Sequence, residues 1–128
     1  MNDIQTRQDI EAVLTQFYTQ AFADPSIGPF FTTVVPLDLD THLPLIADFW
    51  ESVVLGSRVY AKNVMEVHRQ IHNIEPIRTD HLDRWVTLFT ATVSKLFDGP
   101  KAELMKQRAR SVATLMNMKL NHPQIGTQ

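Results

Sequence analysis

The chain has 128 residues, 44% of them apolar and 20% charged, a balance that fits a single soluble globular domain over residues 1–128 and is too short for two. Twelve Lys and Arg against fourteen Asp and Glu leave a net charge of −2 and a pI near 6.2, so there is no basic field to hold a phosphate backbone, and nucleic acid is not an expected partner. With no cysteine, disulfide staples, thiolate nucleophiles, zinc fingers and iron–sulfur clusters are excluded.

The opening residues, MNDIQTRQDIE, are too polar for a signal peptide, and no run approaches the roughly 18 consecutive apolar residues of a spanning helix. The expected location is the cytoplasm, with no membrane partner. Ile10, Val13, Leu14, Phe17 and Ala21 then recur at three- and four-residue steps, predicting a first helix capped by Thr6 and ended by Asp24-Pro25. Pro25, Gly28, Pro29 and Pro36 exclude a long regular helix between Asp24 and about Asp40. Yet Phe30, Phe31, Val34, Val35 and Leu37 are apolar, so this segment has to fold back onto the body of the protein.

A second helix is predicted from His42, Leu45, Ile46, Phe49, Trp50 and Val53, with Pro44 tolerated in its first turn and Gly56-Ser57 loosening its end. A shorter third helix carries Val64, Val67, His68 and Ile71 on one face and stops before Pro76. The fourth is long, capped by Thr79, with Leu82, Trp85, Val86, Phe89, Val93, Leu96 and Phe97 on its buried face until Asp98-Gly99-Pro100 breaks the chain. The fifth runs from about Pro100 to Leu120 on Ala102, Met105, Ala109, Val112, Ala113, Met116 and Leu120, whereas Lys101, Glu103, Lys106, Arg108 and Arg110 form its solvated face. Residues 121–128 read as a frayed tail. No segment of useful length alternates as a half-buried strand does, so the fold class is all-α, with the helices sharing one core.

Polar groups on apolar faces carry the functional signal, because burying an imidazole or a phenol without a partner costs on the order of 1–3 kcal/mol. Tyr18 lies beside the stripe of the first helix, His42 opens that of the second, His68 lies within that of the third, and Trp85 brings an indole N–H on the fourth. Taken singly, each is most simply a core residue with a local partner. Taken together, they are expected to face one cavity lined by Phe and Trp, which would suit a flat apolar cofactor. His68 and His72 have metal-ligand spacing, but Arg-Gln-Ile between them lacks the Glu of a zinc-protease helix. No Glu-x-x-His pair, P-loop, dinucleotide fingerprint or nucleophile elbow occurs.

These residues resemble the truncated haemoglobins, and within them group III. The resemblance runs from Phe17 to about Met116. It includes Phe17-Tyr18, the turn Asp24-Pro25 with Ile27-Gly28-Pro29-Phe30-Phe31, His42 followed eight residues later by Trp50 in the context Asp48-Phe49-Trp50, and then Tyr60, Asn63, His68, Ile71, Ile77, His81, Arg84, Trp85 and Leu88-Phe89. Each motif alone is weak, whereas their order and spacing are specific. Groups one and two carry paired glycines that are missing here, the glycines being Gly28, Gly56, Gly99 and Gly126. Two positions depart from the family pattern: Val64 stands where a proline usually follows the Asn, and Leu39 where a Trp often precedes the distal His.

The resemblance implies a truncated globin fold, a two-over-two helical sandwich around haem b. His68 would be the proximal iron ligand, and Tyr18, His42 and Trp85 would donate to a small ligand on the distal side. Phe31 and Phe49 would wall the macrocycle, Trp50 would seal the back of the pocket, and Arg58, Lys62 or Arg78 would meet the propionates. His81, in the first turn of its helix, reads as a partly exposed residue. The implied function is reversible binding of dioxygen or another diatomic ligand, such as carbon monoxide or nitric oxide. Two alternatives stand beside it. One is a haem enzyme that consumes the ligand, oxidising nitric oxide or cleaving peroxide, with electrons from a separate reductase because no flavin or nicotinamide motif is present. The other is a haem-free helical interaction domain.

Overall fold

The computed structural model describes residues 1–34, 38–56 and 64–122, the last range without the side chains of residues 64–67. Among the described residues there are five α-helices and no strand: α1 (Arg7–Ala23), α2 (Leu39–Val54), α3 (Val64–Ile74), α4 (Thr79–Leu96) and α5 (Pro100–Asn121). A π turn, Phe30–Val34, follows α1. No helix among the described residues is long and apolar enough to cross a membrane.

Helix α1 starts where the sequence places it. The Thr6 hydroxyl accepts the Asp9 N–H at 3.2 Å and the Asp9 carboxylate accepts the Thr6 N–H at 3.1 Å, a reciprocal box that satisfies otherwise orphaned donors. Its predicted stripe is buried, joined by Tyr18. Two other starts differ from the expected ones. Helix α2 begins at Leu39, because the Asp38 carboxylate accepts both the Asp40 N–H at 3.2 Å and the Thr41 hydroxyl at 2.9 Å. Pro44 therefore sits inside α2 rather than in its first turn. On α4 the capping residue is Arg78, and Thr79 is already helical, its hydroxyl donating to Asn117 Oδ1 at 2.8 Å. Asn121, expected in the frayed tail, closes α5 and donates to the Ile77 carbonyl at 3.1 Å.

The two-over-two arrangement follows from which faces are apolar. Helix α1 packs on both α2 and α4, α4 packs along α5, and α5 reaches α2 and α3. At the centre Phe89, 1% exposed, is stacked between Trp50 and Trp85, with ring centroids 5.0 and 5.4 Å away. Polar clamps fix the pairs. The Arg7 guanidinium donates to Asp48 at 2.7 Å, Glu51 at 3.3 Å and the Pro44 carbonyl at 3.0 Å, tying the start of α1 along α2. The buried Asp24 carboxylate accepts Arg84 Nε at 2.7 Å and the N–H groups of Ser26 and Ile27, joining the turn after α1 to α4.

Helix α5 has Gly99 at its N-cap, which lacks a side chain to cap with. Asp3 replaces it from the other end of the sequence, its carboxylate accepting the N–H groups of Lys101 and Ala102 at 3.0 and 2.9 Å. Gly99 is required there: its φ is +145°, and a Cβ would lie 2.5 Å from Asp3 Cγ. Burial alone would raise the Asp3 pKa, but the N–H donors of Lys101, Ala102 and Ile4 outweigh it and hold it below the ordinary 3.8. The contribution is therefore present above the unfolded value and is lost as pH falls through the lower folded one. Asp3→Ala is expected to cost about 1 kcal/mol in urea unfolding at pH 7 and to have a smaller effect in acid. An equal cost at both pH values would show that the carboxylate charge has no part in the cap.

Candidate functional site

A cavity of about 430 Å³ opens between α1, α2, α3 and α4, with the π turn along one side. This is within the range of about 300–1,000 Å³ usual for small-molecule sites. Its walls are mainly apolar. Leu14, Phe17 and Ile27 face it from α1 and the turn that follows, Phe30 and Phe31 from the π turn, and Leu45, Ile46, Phe49 and Trp50 from α2. Ile71 and Ile77, Leu82 and Phe89, and Val112 and Met116 of α5 complete them. Six polar side chains also reach it: Tyr18, His42, Asp48, His68, His81 and Trp85.

The four groups singled out in the sequence thus line one chamber from four helices. The Tyr18 phenol lies 3.3 Å from His42 Nε2, and its ring is held edge-on by Phe17 at 5.1 Å and Phe31 at 5.7 Å. Burial pushes that phenol well above its ordinary pKa of 10.0, so it stays a protonated donor. Burial, and then the His68 charge, push the His42 ring below its ordinary 6.5, so this half-buried imidazole is neutral at pH 7. Trp85 is stacked on Phe89, and among the described residues no group accepts its indole N–H.

The histidines differ in what their ring nitrogens can do. His72 Nδ1 accepts the Ile77 N–H at 2.9 Å, and His81 Nδ1 accepts the Arg78 N–H at 2.9 Å. A backbone N–H can only donate, so each neutral ring must carry its proton on Nε2 and has no lone pair there for a metal. His72 is not among the residues that line the cavity. His42 and His68, by contrast, both line the cavity.

The expected wall residues Phe31, Phe49 and Trp50 all touch the cavity, Trp50 being only 3% exposed. Arg78 does not line it: its exposed guanidinium holds Asp80 at 3.0 and 3.1 Å beside an adjoining groove. Arg58 and Lys62 lie outside the described residues, as do Tyr60 and Asn63. His81 is a correction, since it is 8% exposed rather than partly exposed, packed edge-on against Phe30 at 4.8 Å. Its spacing holds the missed signal: His81, Trp85 and Phe89 recur every four residues, one face of α4. Val112 and Met116, expected as plain core, also form part of the cavity wall.

No family model matches the chain. It is 21% identical over 111 residues to the group 3 truncated haemoglobin of Campylobacter jejuni, an alignment covering 84% of this chain and 85% of that protein. The crystal structure of a group III truncated haemoglobin from Campylobacter jejuni superposes with a TM-score of 0.80 at 21% identity, covering 94% of this chain and 95% of that one. In sequence and in fold the chain is thus similar to the group III truncated haemoglobins, and its fold is that of a truncated globin.

Proposed function

We propose that this truncated-globin fold holds haem b in the cavity between α1, α2, α3 and α4, and that the protein reversibly binds dioxygen or another diatomic ligand there. One observation carries the reading: two imidazoles, a phenol and an indole from four helices converge on one chamber whose walls are otherwise apolar. The macrocycle accounts for the aromatic lining, and an axial ligand accounts for an imidazole on an apolar face. His68 is assigned to the iron, because the rings of His72 and His81 are committed through Nδ1 and His42 shares a hydrogen bond with Tyr18. When bound, the haem supplies an iron centre for gas binding and electron transfer.

The remaining roles belong to the chain itself. Tyr18, kept protonated by burial, and the unaccepted Trp85 N–H are donors aimed into the chamber. They would stabilise the partial negative charge that develops on dioxygen. Phe31 and Phe49 would keep water from the bound macrocycle, and Trp50 would close the back of the chamber. Carbon monoxide and nitric oxide would enter the same chamber. A second reading, consumption of nitric oxide or peroxide, is favoured by the Tyr18–His42 hydrogen bond, which links the buried phenol to a half-exposed titratable ring and so to a proton supply. It would need electrons from a separate reductase. The site of action proposed is the cytoplasm.

The test is an absorption spectrum of the purified protein with one equivalent of haemin, in the ferric state, after reduction, and under carbon monoxide. A sharp Soret band that moves at each step is expected. A protein that takes up no haemin would defeat the proposal and bring forward a helical interaction domain. Turnover of nitric oxide or peroxide with a reductase present would then decide between carrier and enzyme.

A further inference from the structure

Phe30 and His81 line two spaces at once: the main cavity, and a groove of about 350 Å³ at the surface that Ser26, Thr33, Glu75 and Arg78 also line. Among the described residues, no other side chain borders both. The two rings meet edge-on at 4.8 Å and form the partition between chamber and groove. His81 is held there rigidly, because its Nδ1 caps α4 by accepting the Arg78 N–H at 2.9 Å.

That bond also fixes the tautomer. With Nδ1 occupied as an acceptor, the neutral ring carries its proton on Nε2, and among the described residues nothing accepts from it. Such a ring is a poor metal ligand and a ready hydrogen-bond donor. The proposed occupant of the chamber is a flat apolar ring system carrying two carboxylates. Those carboxylates cannot lie against the Phe and Ile walls without a severe desolvation cost, so they must leave where the lining turns polar. The groove offers donors for this exit, the hydroxyls of Ser26 and Thr33 and the Arg78 guanidinium, which also holds Asp80, beside one carboxylate, Glu75.

On the haem reading given above, we propose that His81 is a carboxylate-binding residue that donates its Nε2–H to a haem propionate at the partition with Phe30. Its position and fixed tautomer make it a second holder of the cofactor, distinct from the axial ligand.

Two substitutions divide the two ring nitrogens. His81→Asn keeps an acceptor near the position of Nδ1 and loses the Nε2 donor, whereas His81→Gln places an amide N–H near Nε2 and loses the cap. Haem loss to excess apomyoglobin is measured for each variant and for the wild type, with haemin and with haemin dimethyl ester, whose propionates cannot accept as carboxylates. With haemin, His81→Asn is expected to lose the cofactor about tenfold faster or more, and His81→Gln to stay close to wild type. With the ester, wild type and His81→Asn should not differ. Equal loss from wild type and His81→Asn with haemin would overturn the proposal while leaving the haem reading in place. So would an equal acceleration with the ester, or a faster loss from Gln than from Asn, since either pattern means that only the cap matters. A wild type that takes up no haemin removes both readings.

Discussion

His68→Ala is expected to give a folded protein that no longer retains haem. His68 is half-buried on α3 and lines the chamber that Tyr18 and His42 also line, so its removal takes away the imidazole assigned above to the iron. Neither neighbour can take its place. His72 and His81 are each tied through Nδ1 to a backbone N–H at 2.9 Å, which puts their protons on the nitrogen that would have to bind iron. Loss of an outer-shell partner of a metal ligand typically costs about 10–100-fold in affinity, and loss of the ligand itself should exceed that. The variant is expected to purify colourless, with helical content unchanged by circular dichroism, and to recover a Soret band when free imidazole is supplied to the space left behind. Retention equal to wild type, with unshifted bands, would falsify the assignment and make His42→Ala the next variant to examine.

The helices were legible because their apolar residues keep a strict helical spacing, and proline or glycine stands at each break. What sequence pattern misplaced were starts decided by side-chain chemistry rather than periodicity. Asp38 captures two donors and pulls α2 back to Leu39, leaving Pro44 inside the helix, although the apolar stripe only begins near His42. Likewise Thr79 has the composition of a cap, but its hydroxyl is drawn to Asn117 across the α4–α5 interface. The cap of α5 was beyond reach of local reading altogether, since Asp3 arrives from 98 residues away. In the site, Tyr18, His42, His68 and Trp85 stood out as polar groups on apolar stripes, a signal that burial energetics makes reliable. His81 did not, because in the first turn of α4 it looked like a residue facing solvent. Its burial comes from Phe30, which the sequence places in an irregular segment with no predictable register.

Tyr18→Phe separates binding of the gas from architecture, because it removes one oxygen and leaves the ring. The edge-on contacts with Phe17, Phe22 and Phe31, at 5.1, 6.2 and 5.7 Å, belong to that ring and should persist. The lost hydrogen bond to His42 is long, 3.3 Å, so the cost in stability should be no more than about 1 kcal/mol. A hydrogen bond to a charged acceptor contributes about 1.5–3 kcal/mol, so dioxygen release should accelerate by roughly 10–100-fold in stopped-flow displacement by carbon monoxide. Because burial holds the phenol protonated far above neutrality, the wild-type rate should also be flat in pH across the range in which Tyr18 alone could matter. Trp85→Phe, which removes the indole N–H but keeps an aromatic ring against Phe89, should give a smaller acceleration in the same direction. An unchanged rate in Tyr18→Phe would mean that the phenol serves only to orient His42. The Trp85 indole and the His42 ring would then be the chain's donors to the gas.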